Sequence, residues 1–107
     1  MIPSIRRKPV KWTKVPEPKQ WAPAARDEAI EGQYEGSFIA YGPYGPYETF
    51  VISNEEGKHL LSGTHLSQAI HAYGRLVKGA WIRVAFIDME RLTSGRVMRR
   101  YELHVAS

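Results

Sequence analysis

The chain has 107 residues, enough for one compact domain with an extension. It contains no cysteine, which excludes a disulfide scaffold, thiolate zinc binding and thiol catalysis. Fifteen Lys and Arg residues against 11 Asp and Glu residues give a formal charge of +4. The sequence has no apolar run that would span a bilayer and no apolar segment of a secretory signal, so we expect a cytoplasmic protein without membrane contact.

Residues 1–30 are predicted to form a basic, proline-rich N-terminal arm. They hold seven Lys and Arg residues and three acids, which accounts for the whole net charge. Five prolines in this segment disfavour a long helix or a central strand, so we expect extended chain. Trp12 and Trp21 lie within the arm and either dock on the domain or stack on a ligand. A basic arm on a neutral domain is typical of proteins that bind polyanions, although it also serves solubility alone.

Residues 31–107 show the pattern of five short strands and one helix. Strands are expected at 31–41, 47–53, 58–62, 80–88 and 96–105. Apolar residues at spacings of three and four after Thr64 predict a short helix between the third and fourth strands. A β-β-β-α-β-β order is the topology of the OB-fold, a small and partly open five-stranded barrel. We therefore expect an all-β domain with one short helix.

Several loop motifs resemble those of small, phage-type OB-fold proteins that bind single-stranded DNA. They are Gly42-Pro43-Tyr44-Gly45-Pro46-Tyr47, Ser62-Gly63-Thr64-His65-Leu66 at the start of the helix, Gly79-Ala80-Trp81-Ile82-Arg83-Val84, and Ser94-Gly95-Arg96 with Arg100-Tyr101-Glu102-Leu103. The resemblance covers residues 31–107 and implies a role in DNA replication or recombination. The chain ends in Tyr101-Glu-Leu-His-Val-Ala-Ser107. It therefore departs from cellular single-strand-binding proteins, whose acidic tail recruits replication partners.

Three tyrosines surround the Gly-Pro turns at a spacing of three: Tyr41, Tyr44 and Tyr47. A turn cannot easily bury three large rings, and in an OB barrel the first loop borders the ligand cleft. Base stacking on such rings is worth roughly 1–3 kcal/mol per base and tolerates any sequence. We predict that these rings contact nucleic acid; the alternative is a loop that folds them onto the barrel.

Basic residues cluster in the last hairpin, which faces the first loop across the cleft of this fold. Guanidinium groups bind phosphate oxygens and also stack on bases. The predicted nucleic-acid contacts beyond the tyrosines are Trp81, Arg83, Arg91, Arg96, Arg99 and Arg100 in the domain and Arg6, Arg7, Lys8, Lys11 and Trp12 in the arm. The alternatives are a solvated face for the arginines and a ring that caps the core for Trp81.

The sequence contains no metal-binding motif, nucleophile elbow or phosphate-binding glycine loop, so we expect no enzyme, cofactor or metal. The expected function is binding of single strands with little sequence specificity, with DNA favoured over RNA. The alternative is an OB-fold interaction module whose arm docks on a partner protein through Trp12 and Trp21. Self-association through an exposed strand edge stays open.

Overall fold

The computed structural model describes residues 10–15 and 17–106. Its elements are β1 (Lys19–Gln20), β2 (Ala29–Gly42), β3 (Gly45–Asn54), β4 (Gly57–Ser62), α1 (Thr64–Tyr73), β5 (Trp81–Arg91) and β6 (Val97–Val105). The protein is mostly β with one short helix, as predicted. The prediction of five strands was wrong by one, because β1 has only two polar residues and leaves no periodic signal. In the described part of the chain, no helix is long and apolar enough to cross a membrane.

The six strands form one curled sheet, a half-barrel, in the order β1-β4-β3-β2-β5-β6. The pairing of β1 with β4 is parallel, and the other pairings are antiparallel. β2 is the shared strand: its first part pairs with β5 and its later part with β3. A bulge between Tyr34 and Gly36, where Gly36 has a φ of 105°, interrupts the ladder and bends the strand.

The core is built from side chains of β2 to β6 and α1. It consists of Ile30, Tyr34, Phe50, Ile52, Leu61, Leu66, Ile70, Ile82, Val84, Phe86 and Tyr101. Leu66 and Ile70, four residues apart on α1, supply the buried face of the helix. The ring of Trp21 lies 5.8 Å from that of Tyr101, so a side chain next to β1 contacts the edge strand at the other end of the sheet.

The N-terminal arm divides into two parts. Its second part packs on the barrel: Pro23 is fully buried, and the Trp21 amide donates to the Leu60 carbonyl at 2.9 Å. Residues 10–15 are exposed, and the Trp12 side chain is 91% accessible. Packed structure therefore begins close to β1, within the segment that the sequence assigned to the arm.

Candidate functional site

The tips of the β2–β3 and β5–β6 hairpins meet in space. Tyr44 lies at the first tip, and the Arg96 guanidinium lies 5.5 Å from the centroid of its ring. The second tip is closed by two backbone bonds, from the Leu92 amide to the Arg96 carbonyl at 2.8 Å and from the Gly95 amide to the Leu92 carbonyl at 2.9 Å. The fold thus brings together one aromatic and one basic residue that the sequence singled out.

A groove lies next to this contact, at the corner where β4 ends and α1 begins. Two adjoining cavities of about 440 and 430 Å³ share residues 62–64 as their common floor. We call the two together the interhairpin groove; its residues used below are Pro46, Tyr47, Glu48, Ser62, Gly63, Thr64, Arg96, Arg99 and Tyr101. Gly63 allows the sharp corner because its φ of 138° is unfavourable for other residues. The groove is open and solvent-lined, which suits an extended polymer better than an enclosed small molecule.

The three tyrosines are exposed but do not share one surface. Tyr41 is 81% accessible, Tyr44 93% and Tyr47 45%. Tyr41 is paired with Pro46, whereas Tyr47 is paired with Ala40. Because paired residues share a face and successive residues alternate, Tyr41 and Tyr47 lie on opposite faces of the hairpin. Tyr47 lines the larger cavity of the interhairpin groove and also covers Gly42, where an added Cβ would lie 3.1 Å from its ring. Tyr41 lies on the face that continues from the buried Phe50.

The predicted basic residues of the domain divide between the groove and other surfaces. Arg96 and Arg99 line the groove. Arg91 is exposed at the end of β5. Arg100 is paired with Asp88, with 3.1 Å between Nε and Oδ1, and Arg83 with Glu31 at 3.4 Å. These two pairs reduce the positive charge that Arg83 and Arg100 offer to a phosphate.

Trp81 belongs to a different surface from the groove. Its half-exposed ring borders a cavity of about 370 Å³ that is also lined by Glu31, Glu55 and Glu56. Three carboxylates next to the ring oppose the approach of a phosphate backbone. Trp81 and Arg83, predicted as a stacking surface with a cation, thus lie in acidic surroundings.

The arm approaches the groove floor at Gln20, whose amide lies 3.4 Å from the Ser62 hydroxyl, but its residues before β1 lead away from the groove. Lys19 pairs in parallel with His59, so the chain before it runs toward Gly57, whereas the groove floor adjoins Ser62 at the other end of β4. Lys11 and Trp12 are exposed in this segment. The predicted contacts Arg6, Arg7 and Lys8 lie outside the described residues. The structure does not bring Lys11 or Trp12 together with Arg96 and Tyr44.

One polar cluster at the groove was not predicted. The Glu48 carboxylate is 2.6 Å from His71 Nε2, and it accepts hydrogen bonds from Ser67 at 3.2 Å and Ser37 at 3.3 Å. These partners hold the pKa of Glu48 below its ordinary value, His71 contributing most. Ser67 and His71 are four residues apart on α1, a spacing that marks a shared helix face. Glu48 lies on β3, and no spacing pattern in the sequence connects it with these two residues.

Among residues 10–15 and 17–106, no three His, Asp or Glu side chains are arranged to hold a metal ion. Glu48 contacts both Ser67 and His71 through the same Oε1 atom, so the histidine does not stand between serine and carboxylate as catalytic triads require. The arrangement can fasten α1 to β3 but has no activated nucleophile. Comparison with protein-family models, curated proteins and solved structures found no match.

Proposed function

We propose that the chain is an OB-fold domain that binds single-stranded nucleic acid, preferably DNA, in the interhairpin groove with little sequence specificity. The observation that carries this proposal is the contact between Arg96 and Tyr44, which brings a cation and an exposed ring to one lip of the groove. The element order from β2 onward is that of an OB-fold, whose ligand cleft lies between these two hairpins. The resemblance of the loop motifs suggests a role in replication or recombination.

The binding mechanism combines neutralisation of charge with stacking. Arg96 and Arg99 contact phosphates and release the condensed counterions, which makes affinity fall as salt rises. Unpaired bases stack on Tyr44, beside Arg96, and on Tyr47, which lines the groove. Bases inside a duplex are already stacked on each other, so the rings discriminate against double strands. Glu48, at the other end of the groove, is held by His71 and limits the positive surface on that side.

A competition experiment tests the proposal. Fluorescence anisotropy of a labelled 20-nucleotide oligo(dT) is measured with the full chain at two salt concentrations. Unlabelled single-stranded DNA, single-stranded RNA and duplex DNA serve as competitors. We expect binding that weakens with salt, and displacement by single strands at concentrations at least tenfold below those needed for the duplex. Absence of binding at low salt, or equal competition by the duplex, contradicts the proposal.

A second candidate function is a protein-interaction module, and the exposed segment of the arm favours it. Val10, Trp12 and Val15 are all exposed within six residues, on a segment that leads away from the groove. Tryptophan is enriched among the residues that contribute most to protein–protein binding. A chain that lacks residues 1–15 separates the two functions. If it binds oligo(dT) with an unchanged salt slope, the arm contacts something other than phosphate.

A further inference from the structure

Two histidines attach α1 to opposite walls of the half-barrel. His65, at the start of the helix, accepts a hydrogen bond at Nδ1 from the Tyr101 amide of β6, at 3.0 Å. His71, near the end of the helix, places Nε2 2.6 Å from the Glu48 carboxylate of β3. The helix is therefore joined to β6 by one imidazole and to β3 by the other.

Protonation affects these two contacts in opposite ways. A backbone amide donates to Nδ1 only while that nitrogen carries no proton, and a charged imidazolium has N–H groups at both positions. Uptake of a proton by His65 therefore removes the acceptor and leaves two donors facing each other. Uptake of a proton by His71 converts its contact with Glu48 into an ion pair and shortens or strengthens it.

We propose that the attachment of α1 is pH-sensitive: a proton on His65 breaks its hydrogen bond to β6, whereas a proton on His71 strengthens its contact with β3. Imidazole groups are the side chains that ordinarily change charge between pH 5 and 8. This inference does not depend on the binding of nucleic acid. Because α1 begins at the floor of the interhairpin groove and Tyr101 of β6 lines it, the affected hydrogen bond lies at the groove.

The neighbouring charges act differently at the two ends of α1. On β6, Arg99 acts on Tyr101, and its positive charge makes a cation at His65 unfavourable while the imidazole stays next to this strand. Burial raises the pKa of Tyr101, so the hydroxyl stays neutral throughout the range in which histidines titrate. Glu102 and His104 of β6 are paired with each other. On β3, the pKa of Glu48 is lowered, chiefly by its hydrogen bond to His71, so the carboxylate stays charged as His71 gains its proton.

The test uses nuclear magnetic resonance of the ¹⁵N-labelled full chain at pH 7.5 and pH 5.0. Imidazole ¹⁵N shifts report whether Nδ1 of His65 lacks a proton at pH 7.5. Hydrogen exchange, corrected for intrinsic rates, reports the protection of the Tyr101 amide. The reference is the Tyr34 amide, which donates to the Ala80 carbonyl at 2.8 Å and involves no histidine. We expect the protection of Tyr101 to fall at least tenfold relative to that of Tyr34 at pH 5.0.

Two matched variants show which histidine causes the pH dependence of Tyr101 protection. His65→Asn puts a carbonyl oxygen near the position of Nδ1 and cannot titrate, so the protection of Tyr101 should become independent of pH. His71→Gln leaves His65 intact and should keep the tenfold fall. The proposal is overturned if Nδ1 of His65 carries a proton at pH 7.5, if the wild-type protection is equal at both pH values, or if the fall persists in His65→Asn. The first two results are measured on the wild-type chain, so they can overturn the proposal even if His65→Asn does not fold.

Discussion

The guanidinium of Arg96 lies over the ring of Tyr44, 5.5 Å from its centroid, although the two residues belong to different hairpins. The ring remains 93% accessible, so most of its surface is free for a second planar group. A base that stacks on the open part of the ring would have its phosphate near Arg96 and Arg99. The contact therefore links the stacking and the electrostatic parts of the proposed binding mode, and substitutions can separate them.

Tyr44→Ala should weaken binding of oligo(dT) about 5- to 150-fold, because one base loses a stacking contact of roughly 1–3 kcal/mol. Fluorescence anisotropy at fixed salt measures the change. Tyr73→Ala is the matched control: Tyr73 is 43% accessible but lies at the end of α1, outside the groove, and its removal should leave affinity unchanged. Equal losses in the two variants would mean that no particular ring is used.

Arg96→Ala should mainly reduce the dependence of oligo(dT) affinity on salt concentration. Removal of one phosphate contact lowers the slope of log affinity against log salt by about 0.7 for a single strand. Titrations at four salt concentrations give the slope. Arg75→Ala, which removes an exposed arginine just after α1, should leave the slope unchanged. If both variants lower the slope equally, the charge acts through the general field of the protein and the interhairpin groove is not the site.

The order of strands and helix could be predicted from the sequence because each long element has a periodic signal of its own. The packing of the arm could not. Trp12 and Trp21 have the same residue type in the same proline-rich context, yet one is exposed and the other packs near Tyr101. That difference depends on Leu60 and Tyr101, which are distant in sequence and become neighbours only after the sheet has curled.

The candidate site was predictable in its residue types and not in its geometry. A loop of five residues was expected between Tyr41 and Tyr47, whereas the ladder continues to Gly42 opposite Gly45 and leaves only Pro43 and Tyr44 in the turn. Tyr41 and Tyr47 therefore belong to the strands, whose alternation puts them on opposite faces. The residue types of a loop do not determine how many of its residues form the turn. The length of the turn decides which face each flanking residue occupies.

Trp21→Ala should destabilise the fold by about 2–3 kcal/mol, somewhat less than loss of a fully buried tryptophan, because the ring is partly accessible but packs on the core. Trp12→Ala should change the free energy of unfolding by less than about 0.5 kcal/mol, as is usual for exposed positions. Urea denaturation of the two variants compares them directly. A loss of stability in Trp12→Ala similar to that in Trp21→Ala would show that the first part of the arm also packs on the domain.

Two glycine substitutions separate steric overlap from backbone strain. At Gly32, an added Cβ would lie 2.4 Å from both Ile52 Cγ2 and the Ser53 carbonyl oxygen, so Gly32→Ala must displace a neighbouring strand. At Gly45, nothing lies within 4 Å, but φ is 108°. We expect Gly32→Ala to cost about 3 kcal/mol or more and Gly45→Ala about 1 kcal/mol in unfolding free energy. Equal costs in denaturation experiments would contradict the close packing of β2 on β3.

Glu48→Gln should lower stability in a pH-dependent manner. The folded-state pKa of Glu48 is lowered, first by the hydrogen bond from His71, so its stabilising effect is present above the ordinary range of glutamate and disappears as the pH falls through the folded-state pKa. We expect Glu48→Gln to be about 1 kcal/mol less stable than wild type at pH 7, with the difference vanishing from about pH 5 toward pH 3. Glu55→Gln, which changes an exposed turn residue, should show no such trend. Urea denaturation at each pH supplies the values, and a difference that stays constant down to pH 3 would show that the Glu48 charge contributes nothing to the attachment of α1.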